Sequence, residues 1–272
     1  MLSTSQTDAL INIVREAGRR EIIPRFRALS DSSIRRKSSA DDLVTDADVA
    51  AETFIMREAK TLFPDAAFVG EEAGLDDVAI DAALGSDICV VIDPIDGTWN
   101  FAHGLSLFGT ILAVVSRGTT VFGLLYDPVL DDWIMARRGE GSWFCRPGAQ
   151  PRRLRLAQSE PGPKSKGYLP LFQFEDDKRP TIARAMADMG RVTSLGSSCH
   201  EYRQLLLGAA DFNMSALLNV WDHAAGALAV EEAGGCVELA HSEAYSPKMK
   251  QGCLIAARRG DILKQLTKVT TE

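Results

Sequence analysis

Residues 92–98 read Ile-Asp-Pro-Ile-Asp-Gly-Thr and follow directly on the apolar run Ile88-Cys89-Val90-Val91. The apolar run predicts a strand, and that strand ends by placing two carboxylates three residues apart. A sheet behind such an end would hold Asp93 rigidly. Pro94 carries no N–H and argues against a simple continuation of the strand beyond it. Gly97-Thr98 then opens "GTWNFAHG", a short helix candidate whose first N–H groups would suit a phosphate. Asp93, Asp96 and the Ile95 carbonyl are hard oxygen donors of the kind Mg²⁺ takes. Read alone, though, the two aspartates fit a turn and an N-cap better than a site. The rest of the chain has to decide.

Other acids stand in comparable places. In "VGEEAG", Glu71 and Glu72 leave a second short strand; adjacent side chains diverge, so only one of them is expected to serve a shared site. In "NVWDHAAGALAVEEAGG", Asp222 precedes a run of small residues ending in Gly234-Gly235. This predicts a helix with Asp222 at its N-cap and glycine at its C-terminal end. Ala224, Ala225, Gly226 and Ala227 would let that helix approach its neighbours closely. Thr45-Asp46-Ala47-Asp48 has the form of a capping box opening a helix over 46–62. Asp48 then falls at the third helical position, where the macrodipole favours an acid. Lys37, in "RRKSSADDLVT", reads as a solvated loop charge. Each of these residues has an ordinary structural use when taken singly.

Composition narrows the field. A net charge of −7 over 272 residues gives no basic face for nucleic acid. No apolar run reaches the ~18 residues of a membrane helix. The N-terminus lacks the basic-then-apolar layout of a secretory signal. The five cysteines and four histidines are scattered, with neither a disulfide nor a zinc spacing. A cytoplasmic protein is expected, with no nucleic-acid or membrane partner.

Hydrophobic periodicity predicts a helix over 5–29, then a loop or flap over 30–42. An antiparallel meander is expected through 107–141, and a Pro- and Gly-rich lobe junction with one strand over 157–180. Beyond it, helices and strands alternate: helices near 179–189, 198–208 and 223–233, strands at 191–195, 211–218, 236–240 and 253–257, and a final helix. The fold class is a mixed α+β or α/β layered structure. Residues 1–156 form an N-terminal lobe with most of the acids. Residues 157–272 form a C-terminal lobe with Asp222, the two packed as one unit.

Four stretches together resemble the inositol monophosphatase family of lithium-sensitive, magnesium-dependent phosphatases. They are Lys37-Ser38-Ser39 with Asp42 to Asp48, Gly70-Glu71-Glu72, Asp93 to Phe101, and Trp221 to Gly226. The resemblance spans nearly the whole chain and implies an αβαβα sandwich and a phosphomonoesterase using two to three Mg²⁺ ions. By position, Glu71, Asp93 and the Ile95 carbonyl would hold one ion, and Asp93, Asp96 and Asp222 a second. Glu71 would assist a weaker third, and the resemblance also implies a weak metal position that lithium can occupy. Gly97 and Thr98 would bind the phosphate through backbone N–H groups. Asp48 and Thr98 would help deprotonate the attacking water. Lys37 would sit on a loop near the metals, with Glu72 beside it. The family also tends towards homodimers.

The chain departs from the pattern where the organic part of a substrate would lie. Inositol-specific members commonly carry Glu seven residues before the Asp of Trp-Asp; here that residue is Ser215. Ser198, Cys199, His200 and Glu201 replace a small-residue pattern. Ser198, His200, Glu201 and Ser215 are therefore substrate-contact candidates, with Arg203 and Asn219 behind them. The expected substrate is a small sugar or polyol phosphate. Histidinol phosphate and 3′-phosphoadenosine-5′-phosphate are the alternatives, and a non-catalytic binding protein on the same scaffold is the alternative of another class.

Overall fold

The computed structural model of the chain describes residues 2–30, 33–37, 43–156, 164–241 and 243–271. Helix α1 (Thr4–Ala17) opens on a capping box between Ser3 and Gln6. The expected helix over 5–29 breaks up after Ala17 into a π turn (Gly18–Ile22) and a 3₁₀ turn (Ile23–Arg25). Pro24 explains the ending, since it cannot donate to a helical ladder. Strands β1 (Ile34–Arg36) and β2 (Leu43–Thr45) form an antiparallel hairpin where the sequence predicts a loop. Residues 38–42 of that motif lie outside the described residues, as does the start of the expected lobe junction at 157–163. Helix α2 (Asp46–Leu62) begins on the predicted box: Thr45 caps it, and Asp48 returns a bond to the Thr45 N–H.

A seven-stranded sheet follows in sequence order: β3 (Ala67–Gly70), β4 (Cys89–Asp96), β5 (Gly109–Ser116), β6 (Thr119–Asp127), β7 (Asp132–Arg137), β8 (Gly141–Cys145) and β9 (Arg152–Leu154). Helix α3 (Asp77–Leu84) crosses between β3 and β4, which are parallel. All later neighbours are antiparallel, as the meander requires. Helix α4 (Thr98–Ala102) is a single turn after β4. The second sheet has five strands, β10 (Gly167–Tyr168), β11 (Val192–Thr193), β12 (Phe212–Ser215), β13 (Cys236–Leu239) and β14 (Leu254–Ala257). Their spatial order is β11-β10-β12-β14-β13. Helices α5 (Arg179–Asp188), α6 (Ser198–Leu206), α7 (Val220–Glu232) and α8 (Gly260–Thr271) complete the chain.

The period of two along each strand sorts these elements into layers. Val90 and Ile92 of β4 pack with Leu10, Val14 and Ile55 of α1 and α2. Cys89 and Val91 face the opposite way, into a core built from Tyr202 and Leu205 of α6 and Ala225 and Leu228 of α7. Val237 and Ala256 of the second sheet join the same core. Phe212 and Ile255, on that sheet's other face, pack with Ile182 of α5 and Leu263 and Leu266 of α8. The result is the αβαβα sandwich. Burial on both faces explains why β4 reads as a continuous apolar run instead of alternating.

Two local expectations are corrected. β4 does not stop at Asp93; it runs through Pro94 to Asp96, with a register shift between the two aspartates. One extra residue is accommodated there as a bulge, which tolerates the missing proline N–H. The Pro94 carbonyl still finds a donor, Thr110 Oγ1 at 2.9 Å. Asp222 is not the N-cap of its helix. The cap is Asn219, and Asp222 lies in the first turn.

Candidate active site

The bulge in β4 aims Asp93 and Asp96 into one space, and the first turn of α7 brings Asp222 to meet them. One carboxylate oxygen from each of the three lies within 4.8 Å of the others. The Asp93 carboxyl is wholly buried, and its Oδ1 has no hydrogen-bond partner among the described residues. Burial pushes the Asp93 and Asp222 carboxyls well above the usual range, with nearby carboxylates adding to it. Burial also raises Asp96, to about 6. Two buried acids, a half-buried third and an orphaned oxygen form a group that could hold a multivalent cation, and an all-oxygen donor set suits Mg²⁺ or a similar hard ion.

Asp96 is held in place by residues about a hundred positions further along the chain. Ser197 Oγ donates to its Oδ2 at 2.5 Å, Cys199 N to the same oxygen at 2.7 Å, and Ser198 N to Oδ1 at 3.0 Å. The N-terminus of α6 thus grips a carboxylate supplied by β4, as the helix dipole favours. Asp222 Oδ2 is positioned by Asn219 Nδ2 at 3.1 Å.

Glu71 opens the 3₁₀ turn Glu71–Ala73 after β3 and lines the same cleft. Lys37 Nζ lies 2.9 Å from Glu71 Oε1 and 2.5 Å from Glu72 Oε1. Lys37 is therefore paired, not a solvated loop charge. Burial works against its ammonium, but the two carboxylates outweigh burial and raise its pKa. Glu52, one turn after Asp48 on α2, is buried and accepts the Glu72 N–H at 3.0 Å. Burial raises Glu52 to about 7. Gly70 makes room for it, since a Cβ there would run into the Glu52 carboxyl.

Asp48 and Thr98 meet as expected, with a qualification. Thr98 Oγ1 is 3.2 Å from Asp48 Oδ1 and 3.0 Å from the Ile95 carbonyl, and its one proton serves either. Burial raises Asp48 to about 7, against two bonds from Thr45. Gly97 has φ of +87°, and a Cβ would come within 2.9 Å of the Leu107 carbonyl. Both the backbone and the space require glycine there.

Glu71, Asp93, Asp96, Gly97, Thr98 and Asp222 line a cleft of about 570 Å³, with Asp48, Glu52 and Lys37 outside its lining. A model of the inositol monophosphatase family matches residues 4–271. The chain belongs to that family. It is 30% identical over 230 residues to a fructose-1,6-bisphosphatase/inositol-1-monophosphatase of Thermotoga maritima, covering 85% of this chain and 83% of the relative. It is also 30% identical over 268 residues to the Nus factor SuhB of Haemophilus influenzae, covering 96% and 95%. The solved structure of a Thermotoga maritima IMPase superposes with a TM-score of 0.83 at 27% identity, covering 98% of this chain and 97% of that one.

Set against the inositol monophosphatase pattern, the remaining candidates separate. Ser198, Glu201 and Asn219 line the cleft. Glu201 Oε1 accepts Leu195 N at 2.8 Å and lies 3.1 Å from Ser194 Oγ; burial raises it to about 7. His200 and Arg203 are not among the lining residues. His200 Nε2 is committed to the Phe108 carbonyl at 2.9 Å. Arg203 is buried against Asp132, Asp127 and the Leu125 carbonyl. Ser215 is likewise buried behind the wall, bonded to Gln173, which does line the cleft. Sequence reasoning passed over Ser197, Glu52, Gln173 and Asn100. Asn100 Nδ2 ties α4 to the Leu107 and Leu195 carbonyls, each at 2.7 Å. Only Glu52 carried a signal: an acid four residues after Asp48, on the buried face of α2.

Proposed function

We propose that the chain is a Mg²⁺-dependent phosphomonoesterase acting on a small phosphorylated metabolite. Sugar or polyol phosphates, histidinol phosphate and 3′-phosphoadenosine-5′-phosphate are the substrate candidates. The observation that carries this reading is the Asp93–Asp96–Asp222 cluster, two of its acids buried and the third half-buried, with an Asp93 oxygen unpartnered among the described residues, beside Gly97-Thr98 in one cleft. Asp93, Asp96, Asp222, Glu71 and the Ile95 carbonyl would hold two to three Mg²⁺ ions. Bound Mg²⁺ supplies Lewis acidity to water and phosphate oxygen and neutralises the charge that develops on the leaving group.

The chain's own groups do the remainder. Backbone N–H groups at Gly97 and Thr98 orient the phosphate. With its proton on Asp48 Oδ1, Thr98 Oγ1 keeps lone pairs free to accept a hydrogen bond from water. A carboxyl raised to about 7 by burial is suited to take up a proton near neutral pH. The α6 N-terminus keeps Asp96 from turning away. Lithium inhibition of millimolar order and a homodimeric state belong to the same reading.

The test is phosphate release from a panel of small phosphomonoesters, with Mg²⁺ and after chelation. Release that needs Mg²⁺ and falls at least ~10³-fold in Asp93→Asn is expected. Metal-independent release, or an unaffected variant, sinks the proposal. The relatives named Nus factor SuhB favour a second reading, a binding role for the same scaffold. That reading predicts tight capture of a macromolecular partner by metal-stripped protein.

A further inference from the structure

Gln173 lies in the cleft wall on a one-turn 3₁₀ segment, Leu171–Gln173, and the turn is held from behind. Ala216 N donates to Gln173 Oε1 at 3.0 Å, and Ser215 Oγ is 3.0 Å from the same oxygen. A backbone N–H can only donate, so the carboxamide oxygen must be the end that faces Ala216. The Ser215 hydroxyl also lies 2.9 Å from the Leu217 carbonyl, which accepts His223 Nε2 at 2.7 Å. The Gln173 oxygen has no proton to give, so the hydrogen in the Ser215–Gln173 contact is the serine's. Arg179 fixes the turn's backbone, donating to the Phe172 and Phe174 carbonyls at 2.9 and 2.8 Å.

Two groups are left over. Gln173 Nε2 has no hydrogen-bond partner among the described residues and is not sealed from solvent. Phe172 lines the same cleft with 65% of its surface exposed. A rigid turn thus offers two N–H donors and an open aromatic face side by side. The acceptor oxygens here, on Gln173 and Ser215, are turned inward. A polyol hydroxyl can accept from the Gln173 N–H groups, but its tetrahedral carbons make no use of an open aromatic face as a stacking surface. A flat ring with lone-pair nitrogens needs donors and a stacking surface, and it is offered both.

We propose that the Phe172–Gln173 turn is a specificity element. It selects phosphomonoesters whose organic part is a planar nitrogen heteroaromatic ring, with Ser215 acting as the residue that positions Gln173. The inference rests on the phosphatase reading of this site and narrows its substrate class. Gln173→Glu is the decisive variant. It keeps an oxygen for Ala216 and replaces the donor nitrogen with an acceptor.

The measurement is kcat/KM with Mg²⁺ for 2′-AMP, histidinol phosphate and inositol 1-phosphate. Wild type should favour at least one ring substrate over inositol 1-phosphate, and which one tells purine from imidazole. In Gln173→Glu that preference should drop about tenfold, the worth of one hydrogen bond. Phe172→Ala should raise KM for the ring substrate by a larger factor than KM for inositol 1-phosphate. A preference that moves less than about twofold in both variants overturns the proposal and leaves the phosphatase reading intact. If no substrate is turned over, the phosphatase reading fails, and calorimetric binding of adenosine, histidinol and inositol decides. Ring binding that exceeds inositol binding and weakens in Gln173→Glu upholds the turn's role. Equal or absent binding overturns it.

Discussion

His223 shows how much one buried side chain can report. Its Nε2 faces the Leu217 carbonyl, which fixes the proton there, so Nδ1 accepts from Tyr202 Oη at 3.1 Å. Burial pulls the imidazole down from 6.5 to about 4. Between those values the unfolded chain binds a proton that the folded chain refuses. Stability is therefore complete above pH 6.5 and is lost as pH falls towards 4, by an amount on the order of 3 kcal/mol. Urea midpoints at pH 5 and 7.5 check this. Wild type should lose more on acidification than His223→Gln, and parallel losses would refute the assignment. At this scale the sequence shows Asp93, Asp96, Asp222 and Glu71 as acids at strand ends and a helix start, each with an ordinary use when read singly. It is the resemblance to the family, not local context, that groups them and pairs Asp48 with Thr98. Gln173 and Ser197 are not singled out because each is defined by a partner 43 or 101 residues away, and Asn100, although inside the Asp93–Phe101 stretch, gains its role from a carbonyl 95 residues away. His200 and Arg203 misled for the mirror reason. A polar residue near a motif looks like a ligand until its buried partner is seen.

Among the elements, α7 is one whose character the sequence describes well and whose start it misplaces. Its run of small residues does permit close approach. A Cβ on Gly123 of β6 would come within 2.7 Å of the Ala225 carbonyl, and one on Gly226 would enter the Tyr202 ring. Its start was misjudged by three residues because Asp is a common cap and Asn219 is one too. The consequence is functional: a first-turn aspartate is rigid, and its position follows the helix axis. Gly226→Ala should push α7 from α6, cost about 1–3 kcal/mol, and weaken Mg²⁺ binding one turn away. Thermal melts with and without Mg²⁺ separate the two effects. A smaller Mg²⁺-induced rise in Tm than in wild type is expected. The β4 bulge was invisible beforehand, since Pro94 alone does not distinguish the end of a strand from an irregularity within it.

In the molecule as a whole, α6 and α7 serve both sheets. Cys89, Val91, Ile111 and Leu125 of the seven-stranded sheet are covered by α6 and α7, which follow residue 190. Residues 1–156 expressed alone would leave that face bare, at a cost of about 25 cal/mol for each Å² uncovered. This fragment should be insoluble or molten, and well-dispersed amide resonances would show otherwise. That helices cover sheet faces is legible from the alternation of elements, and the αβαβα order follows from the family resemblance, but neither says which helices are shared, because that depends on how the sheets stack. The grip of α6 on Asp96 has one more consequence. The Cys199 and Ser198 amide hydrogens are spent on a carboxylate that belongs to the other sheet. If Asp96 holds Mg²⁺ as proposed, their deuterium exchange would report its binding from the other side of the carboxylate. Loading with Mg²⁺ should slow exchange at these two amides more than at the Val237 amide of β13, turning a structural clasp into an isotopic gauge of occupancy.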